Sequence, residues 1–404
     1  MSDRRLVGGW LPLLVAVFGT ACSGSGSGSS SGGSRYPPAV VDTPAVAYQM
    51  SATHTGRVTY SQPVRFPARP AWKVDLGQYT SYPLIVDGRV FVLGPVGAGM
   101  YGVYLYALDA RTGRRIWGPV EVDGTYSMSN LAYDGGKVFV TNFNSLLRAY
   151  DAATGELAWA RQLSRFGSGT SAPTAVNGTV YAGQEHGHIY AVDEDTGEIR
   201  WTQSVKYGGF SSPAVSEDGV YVAYPCHYYR FSPGTGASTW TRTLSCTAGG
   251  GRTPVVQGSR VFVRDDTTGP NGHVLDARNG TLLYSLWLGT IPALDDTNAY
   301  AVTNGIATAI DIGSGREVWS FSADTQLVTQ PIVINDYVIV AAATGTVYAL
   351  DASTGAQVWS SHAGATIPAS EPFLAVPLSG MASAEHMLIV ATDKGLTAWS
   401  LDGT

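Results

Sequence analysis

The sequence predicts an all-β chain built by repetition, and three observations carry that prediction. The first is a motif of the form Asp-x-x-Thr-Gly-x-x-x-Trp. It runs from Asp109 through Gly113 to Trp117, from Asp151 through Gly155 to Trp159 and from Asp193 through Gly197 to Trp201. It returns from Asp311 through Gly315 to Trp319 and from Asp351 through Gly355 to Trp359. Two worn copies fill the gap: Ser232 to Trp240 keeps Gly236 but has lost the Asp, and Asp276 through Gly280 ends on Tyr284. The second is spacing. Trp72 leads the series, and 287 residues separate positions 72 and 359 in seven steps, a mean of 41. The third is what fills each period: short runs of Val, Ile, Tyr and Ala divided by Asn-Gly, Asp-Gly or His-Gly, with no sustained helical periodicity. A fixed period near forty marks a solenoid, a propeller or an array. About four short strands per period select a β-propeller of four-stranded blades.

The elements follow in chain order. Arg4 and Arg5 precede an apolar run, Leu6 to Ala21, that is too short to favour a spanning helix. Ala21-Cys22 ends it as a small-residue cleavage site, and the segment resembles a bacterial lipoprotein signal lipidated on Cys22. Gly19 departs from that pattern, where Leu is usual, so ordinary secretion is the alternative. The paired arginines are a weak sign of export in folded form. Residues 23–34 are only Ser and Gly, a flexible tether of roughly 20 Å. Residues 35–69 are Pro-rich, without strand alternation, and are expected as an extended lead-in packed on the propeller.

The propeller itself spans 70–404. Its last repeat ends Leu396-Thr-Ala-Trp-Ser400 with no fourth strand after it, while Pro70 to Leu76, around Trp72, is a fourth strand lacking its first three. Closure by this N-terminal strand makes eight blades and removes an unpaired edge. At each motif turn Asp accepts backbone N–H groups, Thr adds a hydroxyl, and Gly takes the left-handed conformation. Trp72, Trp117, Trp159, Trp201, Trp240, Tyr284, Trp319 and Trp359 are expected to dock each blade on the next, since each indole buries roughly 150–250 Å².

The motif resembles the tryptophan-docking repeat of the pyrroloquinoline-quinone (PQQ) propellers, over roughly residues 71–404. That family includes the quinoprotein alcohol dehydrogenases and the outer-membrane assembly lipoprotein BamB. WD40 propellers have a similar period, but no Trp in this chain is followed by Asp. The stretch Tyr48 to Gly56 resembles the opening of other exported PQQ-repeat proteins. His54 within it reads as a turn or packing residue, with ligand binding as the alternative.

Composition narrows the classes. Net charge is −6 with no block of like charge, against the basic stripe that nucleic-acid binding needs. Arg outnumbers Lys 21 to 4, which reads as codon bias. Beyond Cys22, two cysteines remain in an oxidising compartment, Cys226 and Cys246. A disulfide between them is expected, with two separate thiols as the alternative.

No active site assembles. His186-Gly-His188 reads as a turn rather than a metal pair, and Asp265-Asp266 and Asp295-Asp296 read as solvated turns rather than calcium ligands. Asn177-Gly-Thr and Asn279-Gly-Thr read as turns, not glycosylation sites. The resemblance brings PQQ, calcium, a catalytic Asp and an adjacent-cysteine disulfide, but this chain has no adjacent Cys pair and no Asp that maps to that role. The expectation is therefore no enzyme, no catalytic residue, no metal and no cofactor, PQQ being the remote alternative. A monomeric, lipid-anchored, BamB-like envelope scaffold is expected, binding a protein partner such as an outer-membrane barrel assembly component. The alternative is a carbohydrate- or small-ligand-binding propeller. Tyr79, Tyr82, Tyr126, Tyr207 and Phe210 are the aromatic loop residues suited to either role, with core or rim packing as the plainer account.

Overall fold

The computed structural model describes residues 42–402 apart from 97–100, 123–125, 165–170, 185, 207–210, 246–251, 266–270, 324 and 371–376. Among the described residues every regular element is a strand, and the strands form eight sheets. Blade 1 is Leu84–Val86, Arg89–Pro95, Val103–Asp109 and Arg115–Val122. Blade 3 is Thr174–Val176, Thr179–Gln184, His188–Asp193 and Ile199–Ser204. Blades 2, 4, 5, 6 and 7 span 129–162, 214–243, 255–286, 293–322 and 332–362, each an antiparallel meander. The turn between the first two strands of blade 3 shows why the dipeptides matter: Asn177 and Gly178 have φ of 52° and 76°, the left-handed pair that a two-residue hairpin demands.

Blade 8 is made from both ends of the chain. Met381–Ala384, Met387–Ala391 and Gly395–Ser400 supply three strands, and Arg69–Asp75 adds the outermost, antiparallel, with Trp72 opposite Ala398. The expected closure is thus the observed one.

Burial grades outward from the axis. The innermost Leu84–Val86 is wholly buried, whereas the outermost Ile199–Ser204 buries only Trp201. A register shift precedes the aromatic residue in the outermost strands, as between Leu157 and Trp159. The skipped residue forms a bulge that re-aims the next side chain, and the same shift recurs before Trp72, Trp201, Trp240, Tyr284, Trp319 and Trp359.

Residues 42–58 are packed on the propeller. They cross one mouth of the channel and bond the innermost strands in turn. Ala45 and Ile85 exchange two bonds of 2.9 Å with blade 1. The amides of Tyr133, Val215, Val256, Leu294 and Val333 donate to the carbonyls of Val46, Ala52, Thr53, Thr55 and Gly56. Arg57–Val58 then lies parallel to Ile332–Ile334 as a fifth strand of blade 7. The cause is accounting for backbone polar groups: an innermost strand has one edge turned to the axis, and its buried amides need acceptors.

Candidate functional site

The motif residues meet across blade boundaries. The indole N–H groups of Trp72, Trp117, Trp159, Trp201, Trp240 and Trp319 donate to carbonyls of Ala110, Ala152, Glu194, Pro233, Ala277 and Ala352 at 2.8–3.1 Å. Each acceptor lies in the motif turn of the following blade. The ring also lies on that turn's glycine. A Cβ added to Gly113, Gly155, Gly197, Gly236, Gly280 or Gly355 would sit 2.6–2.8 Å from the indole. Glycine is thus required twice, for left-handed backbone and for the flat surface under the ring. Tyr284 keeps the hydrogen bond, donating to Ile312 O at 2.5 Å, while a Cβ on Gly315 would be 3.2 Å away.

Trp359 differs because blade 8 has no motif turn to dock on. It packs edge-on to Trp399, ring centroids 5.7 Å apart, and 5.4 Å from Phe66. Trp399 itself donates to Ser361 Oγ at 3.1 Å.

The turn carboxylates act locally. Asp109 Oδ1 accepts from the Thr112 amide and hydroxyl at 2.8 and 2.7 Å, and Asp151 accepts the same pair from Thr154. These donors hold Asp109 and Asp151 below the usual carboxylate range. Ser314, and Ser353 with Thr354, do the same for Asp311 and Asp351. Arg200 and Arg278 are the leading cause for Asp193 and Asp276. In blade 4, without the Asp, the Gly236 amide still closes on Ser232 O at 2.8 Å.

Toward the axis the lead-in packs on the innermost strands. His54 is fully buried, with Nδ1 3.2 Å from Pro254 O and Nε2 3.2 Å from Thr174 Oγ1. It therefore ties blade 5 to blade 3 across the channel mouth. Burial pushes it down to about 4, so it is neutral at physiological pH. Tyr48 packs on Tyr82 at 5.1 Å, and Tyr82 is buried rather than a loop aromatic. Gln330 Nε2 donates to Ser370 O at 2.5 Å, and the Tyr48 hydroxyl lies 3.5 Å from the same oxygen.

A repeated signal went unread in the sequence: Ser or Thr two residues before a Pro, just ahead of an innermost strand. Ser81, Ser171, Thr290 and Thr329 each accept a second-strand amide, from Leu93, Gly183, Val302 and Ala341, at 2.9–3.0 Å. These hydroxyls continue the sheet where the innermost strand stops pairing.

The remaining residues singled out in the sequence scatter. His186 and His188 flank Gly187, whose amide closes a turn on Gln184 O at 3.1 Å. Asp295 caps the amides of Thr297 and Asn298 at 2.7 Å, and Asp296 pairs with Arg57 at 2.7 Å. Asp265 is fully buried and accepts the Tyr228 hydroxyl. Tyr79 is exposed, and Tyr126 packs on Phe143 at 4.7 Å. Cys226 is disulfide-bonded. Cys22, Cys246, Asp266, Tyr207, Phe210 and the whole of 1–41 lie outside the described residues.

One acidic pair was not anticipated. Glu194 occupies the motif-turn position that is Ala110, Ala152 or Ala277 in sister blades. It is buried. That burial, with Asp134 bonded beside it, pushes its carboxyl up to about 7. A carboxyl raised in the folded state stabilises it less as pH climbs from about 4.5 to about 7, because the unfolded chain gives up its proton first. Glu194→Gln should therefore leave Tm unchanged at pH 4.5 and raise it by about 2 °C at pH 8. A Tm difference that is flat with pH would contradict the raised Glu194 carboxyl.

The PQQ propellers pose a direct test of fit. PQQ is a flat tricarboxylate, and what the described residues turn to the axis is mainly Tyr48, Tyr82, His54, amides and hydroxyls already committed to backbone bonds. Among the described residues no three His, Cys, Asp or Glu side chains group to hold a metal ion. This set does not fit the cofactor with its calcium.

Eight meandering blades locked by glycine-borne indoles define the tryptophan-docked PQQ-like propellers. The family model described as outer membrane protein assembly factor BamB matches residues 102–227 and 270–403, and the chain belongs to that family. The quinohemoprotein alcohol dehydrogenase ADH-IIG of Pseudomonas putida is 32% identical over 28% of this chain and 17% of its own length. The quinoprotein ethanol dehydrogenase of Pseudomonas aeruginosa is 29% identical over 28% of this chain and 19% of its own. The matches thus span less than a fifth of either curated relative. Among solved structures, BamB of Moraxella catarrhalis superposes with a TM-score of 0.63 at 16% identity, covering 82% of this chain and 99% of that one. A europium-containing methanol dehydrogenase superposes with a TM-score of 0.69 at 15% identity, covering 87% and 90%. Both likenesses are of fold.

Proposed function

We propose that this chain is a non-catalytic scaffold of the bacterial cell envelope, lipid-anchored through Cys22, that presents its propeller faces to a protein partner. The observation that carries the reading is the lead-in seated in the channel, which gives the axis to Tyr48 and His54. Membership of a family described by an outer-membrane assembly factor supports it. An outer-membrane barrel assembly component is the partner class this reading names. The Ser-Gly tether and the anchor would hold the propeller near such a partner.

The second reading is a PQQ-dependent dehydrogenase, favoured by the partial identity to two such enzymes. Affinity purification of the anchored protein from native membranes separates the two. A barrel assembly component recovered in stoichiometric amount supports the scaffold. Saturable binding of PQQ with calcium, together with dye reduction by an alcohol, would reverse the assignment.

A further inference from the structure

Seven of the eight blade junctions are filled by an indole, and the one between blades 5 and 6 is not. Tyr284 stands there, and it keeps the bond to the next blade's turn through its hydroxyl, at 2.5 Å from Ile312 O. What it loses is bulk. A Cβ on Gly315 would lie 3.2 Å from the phenol, against 2.6–2.8 Å from the indoles elsewhere. Beside this junction lies a groove of ≈ 570 Å³ that runs from Thr303 and Asn304 to Gly315, the glycine under the Tyr284 ring. That volume lies within the roughly 300–1,000 Å³ typical of small-ligand sites.

The lining has a definite chemical character. Trp287 follows the outermost strand of blade 5, Leu282–Leu286, and is 54% exposed at the rim. Ile306 adds a second apolar surface. The groove is also lined by the amide of Asn304, the hydroxyls of Thr308 and Ser320, and the carboxylate of Glu317. No Lys, Arg or His is among the lining residues. Phosphates, nucleotides and acidic sugars would meet one negative charge and no cation, so charge selects against them. A purely apolar ligand would leave four polar side chains without new partners. A neutral ring with an apolar face and an equatorial rim of hydroxyls satisfies both walls: its C–H face lies on the indole, and its hydroxyls bond the amide, carboxylate and hydroxyl groups.

We propose that the groove between blades 5 and 6 is a binding site for a neutral pyranose sugar, with Trp287 as its stacking platform. The site is independent of the partner reading above. Its lining residues are not those that hold the lead-in, and it needs no second protein.

Two substitutions test it on the soluble, signal-free chain. Tyr284→Trp should seat a wider ring on Gly315, one of the groove's lining residues, narrow the groove there and restore the docking found at the sister junctions. Trp287→Ala should remove the platform from an exposed position, leaving far-UV circular dichroism and Tm unchanged. Saturation-transfer NMR with maltotriose, cellotriose and chitotriose should show saturable binding of at least one. Affinity should fall at least tenfold in Trp287→Ala and vanish in Tyr284→Trp, whose Tm should rise. The same sugar presented as an insoluble polymer in a sedimentation assay tells whether internal or only terminal units enter. No saturable binding of any neutral trisaccharide would overturn the proposal. So would sugar binding that survives both substitutions. Preference for an acidic oligosaccharide or an apolar peptide with the same Trp287 dependence would likewise reject it.

Discussion

Deleting residues 69–75 should yield a chain that aggregates and shows no cooperative melt near that of the parent. The strand contributes the outermost quarter of blade 8, paired along its length from Arg69 opposite Ser400 to Asp75 opposite Gly395. Without it, Gly395–Ser400 becomes a bare edge, a template for pairing with other chains. The loss does not stop at one blade. Trp72 bonds Ala110 O and lies against Gly113 of blade 1, so the junction that closes the ring opens with it. The Leu76 amide also bonds Lys394 O at 2.7 Å. Size-exclusion chromatography and a thermal melt read the outcome. A monomeric deletion with the parent Tm would remove the N-terminal strand from its closing role.

The second large effect lies at the docking indoles. Trp159→Ala should cost about 3–5 kcal/mol in urea unfolding. It removes a ring seated on Gly197 and a hydrogen bond of 2.9 Å to Glu194 O, leaving a void between blades 2 and 3. Gly197→Ala attacks the same contact from the other side. Its Cβ would fall 2.7 Å from the indole, at a φ of 69°. Leu157→Ala on the same strand serves as the comparison: Leu157 is 55% exposed, and its loss should stay within about 0.5 kcal/mol. Equal costs at Trp159 and Leu157 would mean that the blades are not held by their indoles.

The comparison of chain and structure is clearest in the worn repeats. Ser232 in place of Asp read as erosion, and the turn survives because its backbone bond needs no carboxylate. Tyr284 in place of Trp also read as erosion. The groove beside it depends on the distance between two blades and appears in no local pattern. Glu194 carries no signal in the sequence, because nothing in its own repeat announces that Asp134 of the preceding blade lies against it. Tyr82 read as a loop aromatic for the same reason. Its hydroxyl finds the Leu131 backbone, 49 residues away.

The repeat, the turns, the docking set and the split closing blade were legible in the sequence alone. Each depends on interactions within about four residues or on a period that repeats them, and local backbone chemistry is written residue by residue. The path of residues 42–58 was decided only by the tertiary structure. Gln49, Met50 and His54 all have positive φ, and no local preference asks for that. Gln49 and Met50 sit in a turn closed by Val46 N on Met50 O, and the carbonyls on either side of it, Val46, Ala52, Thr53, Thr55 and Gly56, take amides of the innermost strands and their neighbours. The lead-in is the segment placed to answer them.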